Sequence, residues 1–198
     1  MHTPYTFVFF GIVGSGKGTQ IDLLQKYLKE NDLSQDIVTA SPGVGYRKLI
    51  GEGYYTGQIV KTTLEKGYLQ PDFLTNGLVT NTFAFEMKEN STIFADAFPR
   101  TIVQAKALEE ILAYYGRTEI HIVYIELSKD EALKRMKLRG RTDDTDEGIE
   151  QRFNEYVNNV IPAMDYLKGK DGYTIHTING EQSIEEVHNQ ILTSLDLA

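Results

Sequence analysis

The chain has 198 residues, enough for one domain with a substantial buried core. Its net charge of −8 disfavours a general nucleic-acid binder, which needs a basic surface, and its lack of cysteine excludes disulfides and thiolate metal sites. The longest apolar run near the start, "FVFF", is too short for a membrane span or a signal peptide. We therefore expect a cytoplasmic protein that binds neither nucleic acid nor a membrane.

Short apolar segments and helical patterns alternate along the chain. The segments typical of buried strands are 5–10, 36–40, 91–98, 119–127 and 173–178. Helices are predicted at 17–31, 101–115, 146–167 and 183–195, with another starting near Ser128. Pro162 is expected to kink or divide the helix that contains it.

This alternation predicts an α/β fold, with a parallel sheet covered by helices on both faces. Residues 41–90 break the alternation, because they hold many glycines and helical stretches but no convincing strand. We interpret them as a small helical insertion. Ligands of such sheets lie at the carboxyl ends of the strands, which is where the turn after the first strand and "DAFPR" (96–100) both fall.

The turn "GIVGSGKGTQ" (11–20) has the features of a phosphate-binding loop. Its glycines let backbone N–H groups face phosphate oxygens, the helix start adds a positive dipole, and Lys17 can reach the β and γ phosphates. The general pattern G-x-x-x-x-G-K-[ST] puts a hydroxyl directly after the lysine. Here Gly18 follows the lysine and Thr19 comes one position later, so the turn alone leaves three alternatives: a chance glycine cluster, a damaged nucleotide site or a phosphate site of another type.

A carboxylate at the end of the third strand strengthens this prediction. Buried strands rarely end on an unpaired carboxylate, so Asp96 favours a role near magnesium. Together, "GSGKGTQ", "DAFPRTIVQA" and "RGRTDD" resemble the adenylate kinase family of nucleoside monophosphate kinases, in order and along nearly the whole chain. In that family a glycine and then a threonine follow the lysine. The resemblance implies a P-loop NTPase-type five-stranded parallel sheet and Mg²⁺-dependent phosphoryl transfer from ATP to AMP.

The resemblance also divides the chain into three parts. Residues 1–40, 83–135 and 146–198 would form the core, 41–82 the helical part that binds the acceptor monophosphate, and 136–145 a minimal lid without zinc. Only Gly140 separates Arg139 from Arg141, so the alignment of these two arginines is ambiguous by one position. The expected partners are small-molecule nucleotides, and a monomer is expected.

The resemblance implies a role for most of the arginines. The residues expected to bind ATP are Gly14, Ser15, Gly16, Lys17, Gly18, Thr19, Arg135, Arg139 and Gln182. Those expected to bind the acceptor are Ser41, Gly43, Arg47, Leu69, Ala97, Arg100, Gln104, Arg141 and Arg152, with Gln104 reading the adenine edge. The expected catalytic residues are Lys17, Arg100, Arg135, Arg141 and Arg152, while Asp96 would hold Mg²⁺ through water.

Some residues remain outside these groups or depart from the family pattern. Asp143 and Asp144 match the hinge carboxylates of the lid, and Arg117 is left over and interpreted as solvated. The family's S-T-G-D is "SPGV" (41–44) here, its "DGFPR" is "DAFPR", and its loop proline is Val13. Because "SPG" followed by an arginine also resembles thymidylate kinases, a pyrimidine monophosphate (UMP, CMP or dTMP) is the alternative acceptor to AMP.

Two other classes of protein compete with a kinase. A nucleotide-binding module that has lost catalysis would explain the altered acceptor segment, but the intact Lys17, Arg100 and Arg152 argue against it. An RNA-linked ATPase of related fold is disfavoured by the net acidity. His121 and His176 lie within apolar runs, where packing inside strands is expected rather than metal binding.

Overall fold

The computed structural model describes residues 4–139 and 145–197. The five predicted strands are all present, with ends that lie within two residues of those expected. They are β1 (Thr6–Gly11), β2 (Ile37–Ala40), β3 (Thr92–Asp96), β4 (Ile120–Glu126) and β5 (Tyr173–Asn179). All pair in parallel, in the order β2-β3-β1-β4-β5. The predicted fold class is confirmed.

Helices connect the strands and form the segment between β2 and β3. They are α1 (Lys17–Glu30), α2 (Pro42–Gly51), α3 (Tyr55–Glu65), α4 (Asp72–Glu86), α5 (Ile102–Tyr114), α6 (Lys129–Arg139), α7 (Asp146–Glu155), α8 (Ile161–Lys168) and α9 (Ile184–Ser194). A π-helical turn, Tyr156–Val160, separates α7 from α8. It ends two residues before Pro162, which has no N–H to donate, so the predicted division of this helix is confirmed.

The sheet is buried on both faces because alternate residues of its strands point in opposite directions. Phe7 and Phe9 of β1 pack with apolar residues of α1 and α9, whereas Val8 and Phe10 pack with residues of α4, α5 and α8. A third, smaller cluster joins Ile12 to α6 and α7 at the carboxyl edge of the sheet. The core therefore fixes the turn after β1 between helices of both layers.

Arg117 corrects one expectation. It was predicted to be solvated, yet it is buried, with 8% of its surface exposed. Its guanidinium donates to the carbonyl oxygens of Pro4 (3.0 Å) and Ser91 (2.7 Å), just before β1 and β3 begin. These carbonyls lie at the amino ends of the strands. Arg117 therefore links two segments at the end of the sheet opposite the carboxyl edge, where ligands are expected.

In the described ranges, no helix is long and apolar enough to cross a membrane.

Candidate active site

Two glycines shape the turn between β1 and α1. Gly14 and Gly16 have φ values of 86° and 88°, in the left-handed region that favours glycine. At Gly14 space is also limited, because an added Cβ would lie 3.0 Å from the carbonyl oxygen of Ala132 in α6. The turn therefore presents the first N–H groups of α1, at Lys17, Gly18 and Thr19, to the carboxyl edge of the sheet.

Lys17 lies over this turn. Its ammonium donates to the carbonyl oxygens of Gly11 (2.6 Å) and Ile12 (2.9 Å) and to Ser15 Oγ (3.3 Å). These acceptors are neutral, so an anionic phosphate can compete with them for the ammonium. The positive charge is thus placed where the backbone N–H groups of the turn also point.

Asp96 lies beside the turn because of the strand register. β1 pairs Phe9 with Asp96, and β2 pairs Ala40 with Ala95, which brings Ser41 to the same edge. Ser41 Oγ donates to Asp96 Oδ2 at 2.9 Å. A carboxylate and a hydroxyl are oxygen donors of the kind that Mg²⁺ prefers, so this pair fits the expected magnesium role.

The segment after β3 is held in an unusual conformation. Ala97 has a φ of 53°, which a residue with a Cβ rarely adopts. Its carbonyl oxygen accepts from Arg100 Nε (3.0 Å), and the Arg100 N–H donates to Gln104 Oε1 (2.8 Å). Thr101 caps α5 by accepting from the Gln104 N–H. Arg100 is therefore fixed at its backbone while its side chain remains exposed.

Gln104 was predicted to read the adenine edge of the acceptor, and the structure shows what surrounds it. The side chain is buried, with 1% exposed, and its Nε2 donates to Asp72 Oδ1 at 2.8 Å. Asp72 also accepts from Thr101 Oγ1 at 2.7 Å. Asp72 was not among the predicted site residues, because its partners lie about 30 residues away in the chain and only the tertiary fold brings them together.

Arg152, another predicted site arginine, is among the charged neighbours of Arg100. Surrounding protein lowers the pKa of Arg100, Arg152 adds to this, and Tyr46, Asp96 and Glu155 act in the opposite direction. The Arg100 side chain is exposed, so we interpret the other four residues as its charged neighbours. The Arg100 guanidinium stays protonated at neutral pH. Arg152 Nη2 donates to the carbonyl oxygen of Leu64 at 3.4 Å, which links α7 to the end of α3.

Other residues that were predicted to bind the acceptor lie on the helical segment between β2 and β3. Arg47 is exposed on α2, and its Nη1 lies 3.4 Å from where a Cβ of Gly43 would be, so glycine leaves room for this guanidinium. Leu69 is half-buried in the connection between α3 and α4. In the same connection, Gly67 packs against the carbonyl of Gly148 in α7, with no space for a side chain. The helical segment thus contacts the helix that carries Arg152.

Two residues expected to bind ATP, Arg135 and Gln182, lie on α6 and in the turn after β5. Arg135 Nε donates to Glu131 Oε1 at 3.0 Å, and this contact, with a lesser one from Lys134, lowers the pKa of Glu131. Gln182 is exposed between β5 and α9. The neighbouring Glu181 accepts from the Ser128 N–H at 3.0 Å, so the turn that carries Gln182 is tied to the start of α6.

Part of the predicted site lies outside the described residues. This applies to Arg141, Asp143 and Asp144, which lie in the undescribed half of the expected lid (140–144), and to the side chain of Arg139. Among residues 4–139 and 145–197, no three His, Cys, Asp or Glu side chains are grouped as a metal site would require. An oxygen pair such as Asp96 and Ser41 can therefore serve a magnesium ion only together with phosphate oxygens and water.

Comparisons with known proteins agree with this geometry. The family model described as adenylate kinase matches residues 9–172. The adenylate kinase of Mycolicibacterium paratuberculosis is 35% identical over 188 residues, covering 95% of this chain and 97% of that protein. Adenylate kinase 1 of a Nostoc species is 33% identical at the same coverage, and the adenylate kinase of Bifidobacterium longum is 33% identical, covering 96% and 98%. The phosphate turn, the Asp96 edge and these matches together show that the chain belongs to the adenylate kinase family of phosphotransferases.

Proposed function

We propose that this chain catalyses the reversible Mg²⁺-dependent transfer of a phosphoryl group from ATP to AMP, yielding two ADP. The observation that carries the proposal is the arrangement at one sheet edge. β1, which pairs with β3 at Asp96, leads into the turn that holds Lys17 and the N-terminus of α1, and both Asp96 and Arg152 are charged neighbours of Arg100. Cationic groups gathered near one carboxylate suit two polyphosphates that must approach each other.

The chemistry needs alignment and charge neutralisation from these residues. The nucleophile is a phosphate oxygen of the acceptor, which is already anionic, so no general base is required. The N–H groups of the turn and Lys17 would hold the donor phosphates, and Arg47, Arg100 and Arg152 would hold the acceptor phosphate. With Arg135 and Arg141, these cations would neutralise the charge that spreads over the transferring group. Water must be excluded, which is the task we assign to the segments 41–82 and 136–145.

Magnesium would be held by ATP phosphates and by water, with Asp96 accepting hydrogen bonds from that water. When bound, the ion would supply positive charge that reduces the negative charge of the phosphates. Ser41 donates to Asp96 Oδ2, which orients the carboxylate and leaves it acceptor-only toward the ion's water ligands. We also infer a monomer in the cytoplasm that uses no zinc.

AMP is the favoured acceptor because "RTIVQA" with Gln104 is intact and because the similar proteins carry the name adenylate kinase. The alternative is a pyrimidine monophosphate, which is suggested by Pro42 and Val44 at the start of α2 and by Ala97. Both acceptors present the same phosphate to Arg47 and Arg100, so the base contacts decide between them.

One assay tests the proposal. Purified protein is incubated with Mg·ATP and, in turn, AMP, CMP, UMP or dTMP, and ADP formation is measured. Fast transfer to AMP supports the proposed reaction, and transfer to a pyrimidine alone supports the alternative. ADP release without an acceptor would indicate an ATPase, and binding without transfer would indicate a module that has lost catalysis. Omitting Mg²⁺ should abolish turnover, whereas a zinc chelator with Mg²⁺ in excess should have no effect.

A further inference from the structure

A chain of hydrogen bonds joins the start of α4 to the backbone of Arg100. Asp72 Oδ1 accepts from both Thr101 Oγ1 (2.7 Å) and Gln104 Nε2 (2.8 Å), and Gln104 Oε1 accepts from the Arg100 N–H (2.8 Å). Asp72 is the first residue of α4, whereas the other three lie at the start of α5 or just before it. The chain of bonds therefore crosses from the helical segment to the sheet edge.

The carboxylate of Asp72 dictates which way the Gln104 amide faces. An ionised carboxylate only accepts hydrogen bonds, so the side of Gln104 that faces Asp72 must be its NH₂ group. The amide oxygen then faces the Arg100 N–H, which only donates. A reversed amide would place oxygen against oxygen and nitrogen against N–H, losing both bonds inside the protein, where unpaired polar groups are costly. Asp72 thus selects the amide orientation that holds Arg100.

The backbone at Arg100 needs such support because the residues before it are strained. The left-handed φ of Ala97 is unfavourable for a residue with a Cβ, and such conformations persist only where the surroundings enforce them. Two contacts act on Arg100 itself, namely Nε to the Ala97 carbonyl and the N–H to Gln104. Losing the second would leave the segment free to relax and would move the guanidinium.

Burial indicates what Gln104 does in this arrangement. With 1% of its surface exposed and both ends of its amide bonded, the side chain is held in a single orientation by the protein. We propose that Asp72 is a positioning residue for phosphoryl transfer, which acts through Gln104 to fix Arg100 where it grips the acceptor phosphate. This inference rests on the proposed function, since it concerns the same acceptor site.

The test compares Asp72→Ala with Asp72→Asn. Asparagine keeps an oxygen at the position that accepts both bonds, so Asp72→Asn should leave the KM for AMP within about threefold of wild type. Asp72→Ala should raise that KM about tenfold, the size expected for one lost hydrogen bond to a charged group, and leave the KM for ATP within about twofold. Asp165→Ala removes an exposed carboxylate on α8 and should change neither constant.

Two further measurements separate this role from the alternatives. Because the loss falls on the phosphate, the preference for AMP over IMP should be unchanged in Asp72→Ala, whereas a change would mean that Asp72 governs base reading. Gln104→Leu should give the same KM pattern, and the double variant should be no worse than Gln104→Leu alone, because both act along one path. An unchanged KM for AMP in Gln104→Leu would overturn the proposal even if Asp72→Ala did not fold.

Equal rises in both KM values, together with a lower melting temperature, would show a purely structural role and would also overturn it. The wild-type assay decides the proposed function separately, because it asks only whether ADP forms from ATP and a monophosphate. If wild type transferred no phosphate, the same variants would be compared by calorimetric titration with AMP. The inference then requires about tenfold weaker binding by Asp72→Ala, with recovery by Asp72→Asn.

Discussion

The ammonium group of Lys17 is expected to bind the ATP phosphates, and its removal is the first prediction. The Lys17 ammonium donates to atoms of its own turn, which are the carbonyls of Gly11 and Ile12 and the hydroxyl of Ser15. Removing it should leave the core intact but deprive the transferring phosphate of a fixed positive charge. We predict that Lys17→Ala lowers kcat by at least about 10²–10³-fold with little change in the melting temperature. Lys26→Ala, which removes an exposed ion pair on α1, is the matched control and should keep full activity.

Ala97, the strained residue after Asp96, gives a second prediction. A left-handed conformation costs about 1–2 kcal/mol for a residue with a Cβ, whereas glycine loses about 0.5–1 kcal/mol through its greater freedom in the unfolded chain. Ala97→Gly should therefore raise the free energy of unfolding by roughly 0.5–1 kcal/mol, measured by urea denaturation. Ala113→Gly, at an exposed position within α5, should lower it by about 1 kcal/mol. Destabilisation by both changes would contradict the assigned strain at Ala97.

At the scale of elements, local patterns were sufficient to predict the strands and helices. Apolar runs and glycine turns depend on neighbours in sequence, and so does the break at Pro162, which lacks an N–H wherever it stands. The phosphate turn was predictable for the same reason. The sheet edge could also be inferred, because the carboxyl ends of parallel strands lie together.

Side-chain partners from distant segments could not be predicted in this way. Arg117 was interpreted as solvated because the family resemblance left it without a role, yet its partners are two carbonyls that the fold brings from distant segments. Asp72 was not predicted as a site residue, because it accepts its hydrogen bond from Gln104 of α5, a distant segment of the chain. The charged residues can be identified from the sequence, but the tertiary fold decides which of them are buried.

The hydrogen bonds of Arg117 to two separate segments give a testable prediction about stability. Its guanidinium holds the carbonyls of Pro4 and Ser91, which would be left without this donor in Arg117→Met. We predict a loss of about 2–3 kcal/mol in the free energy of unfolding and kinetic constants near those of wild type, because the tie lies at the amino end of the sheet. Lys61→Met, at an exposed position on α3, should change stability by less than about 0.5 kcal/mol. An equal effect of both substitutions would show that the buried bonds contribute nothing.

Stability of the whole molecule should depend on pH through a pair of histidines between two strands. His121 Nδ1 lies 3.1 Å from His176 Nε2, across β4 and β5. Burial lowers the pKa of both, and His176 lowers that of His121 further, while Asp196 opposes the shift at both and Glu119 at His121. The N–H···N bond requires at least one neutral ring, and two charged rings would repel each other at this distance.

The sign of the pH dependence follows from the direction of these shifts. A lowered pKa means that the folded chain binds fewer protons than the unfolded chain once the pH falls below about 6.5, the ordinary histidine value. Protonation then favours unfolding, so stability should fall below pH 6.5, by at most about 1.4 kcal/mol per pH unit for each histidine. Carboxylates with lowered pKa, such as Glu109 and Glu186, begin to contribute only near their usual 4.5.

Urea denaturation at pH 7.5, 6.5 and 5.5 measures this window separately from the carboxylates. Wild type should lose stability between pH 6.5 and 5.5, whereas the double variant His121→Gln, His176→Gln should have a flatter profile over the same interval, because glutamine does not titrate. His188, which burial also shifts downward, remains in both proteins and sets the residual slope. Parallel profiles would assign the acid sensitivity to His188 or to carboxylates, and a gain in wild-type stability on acidification would reverse the assigned shifts.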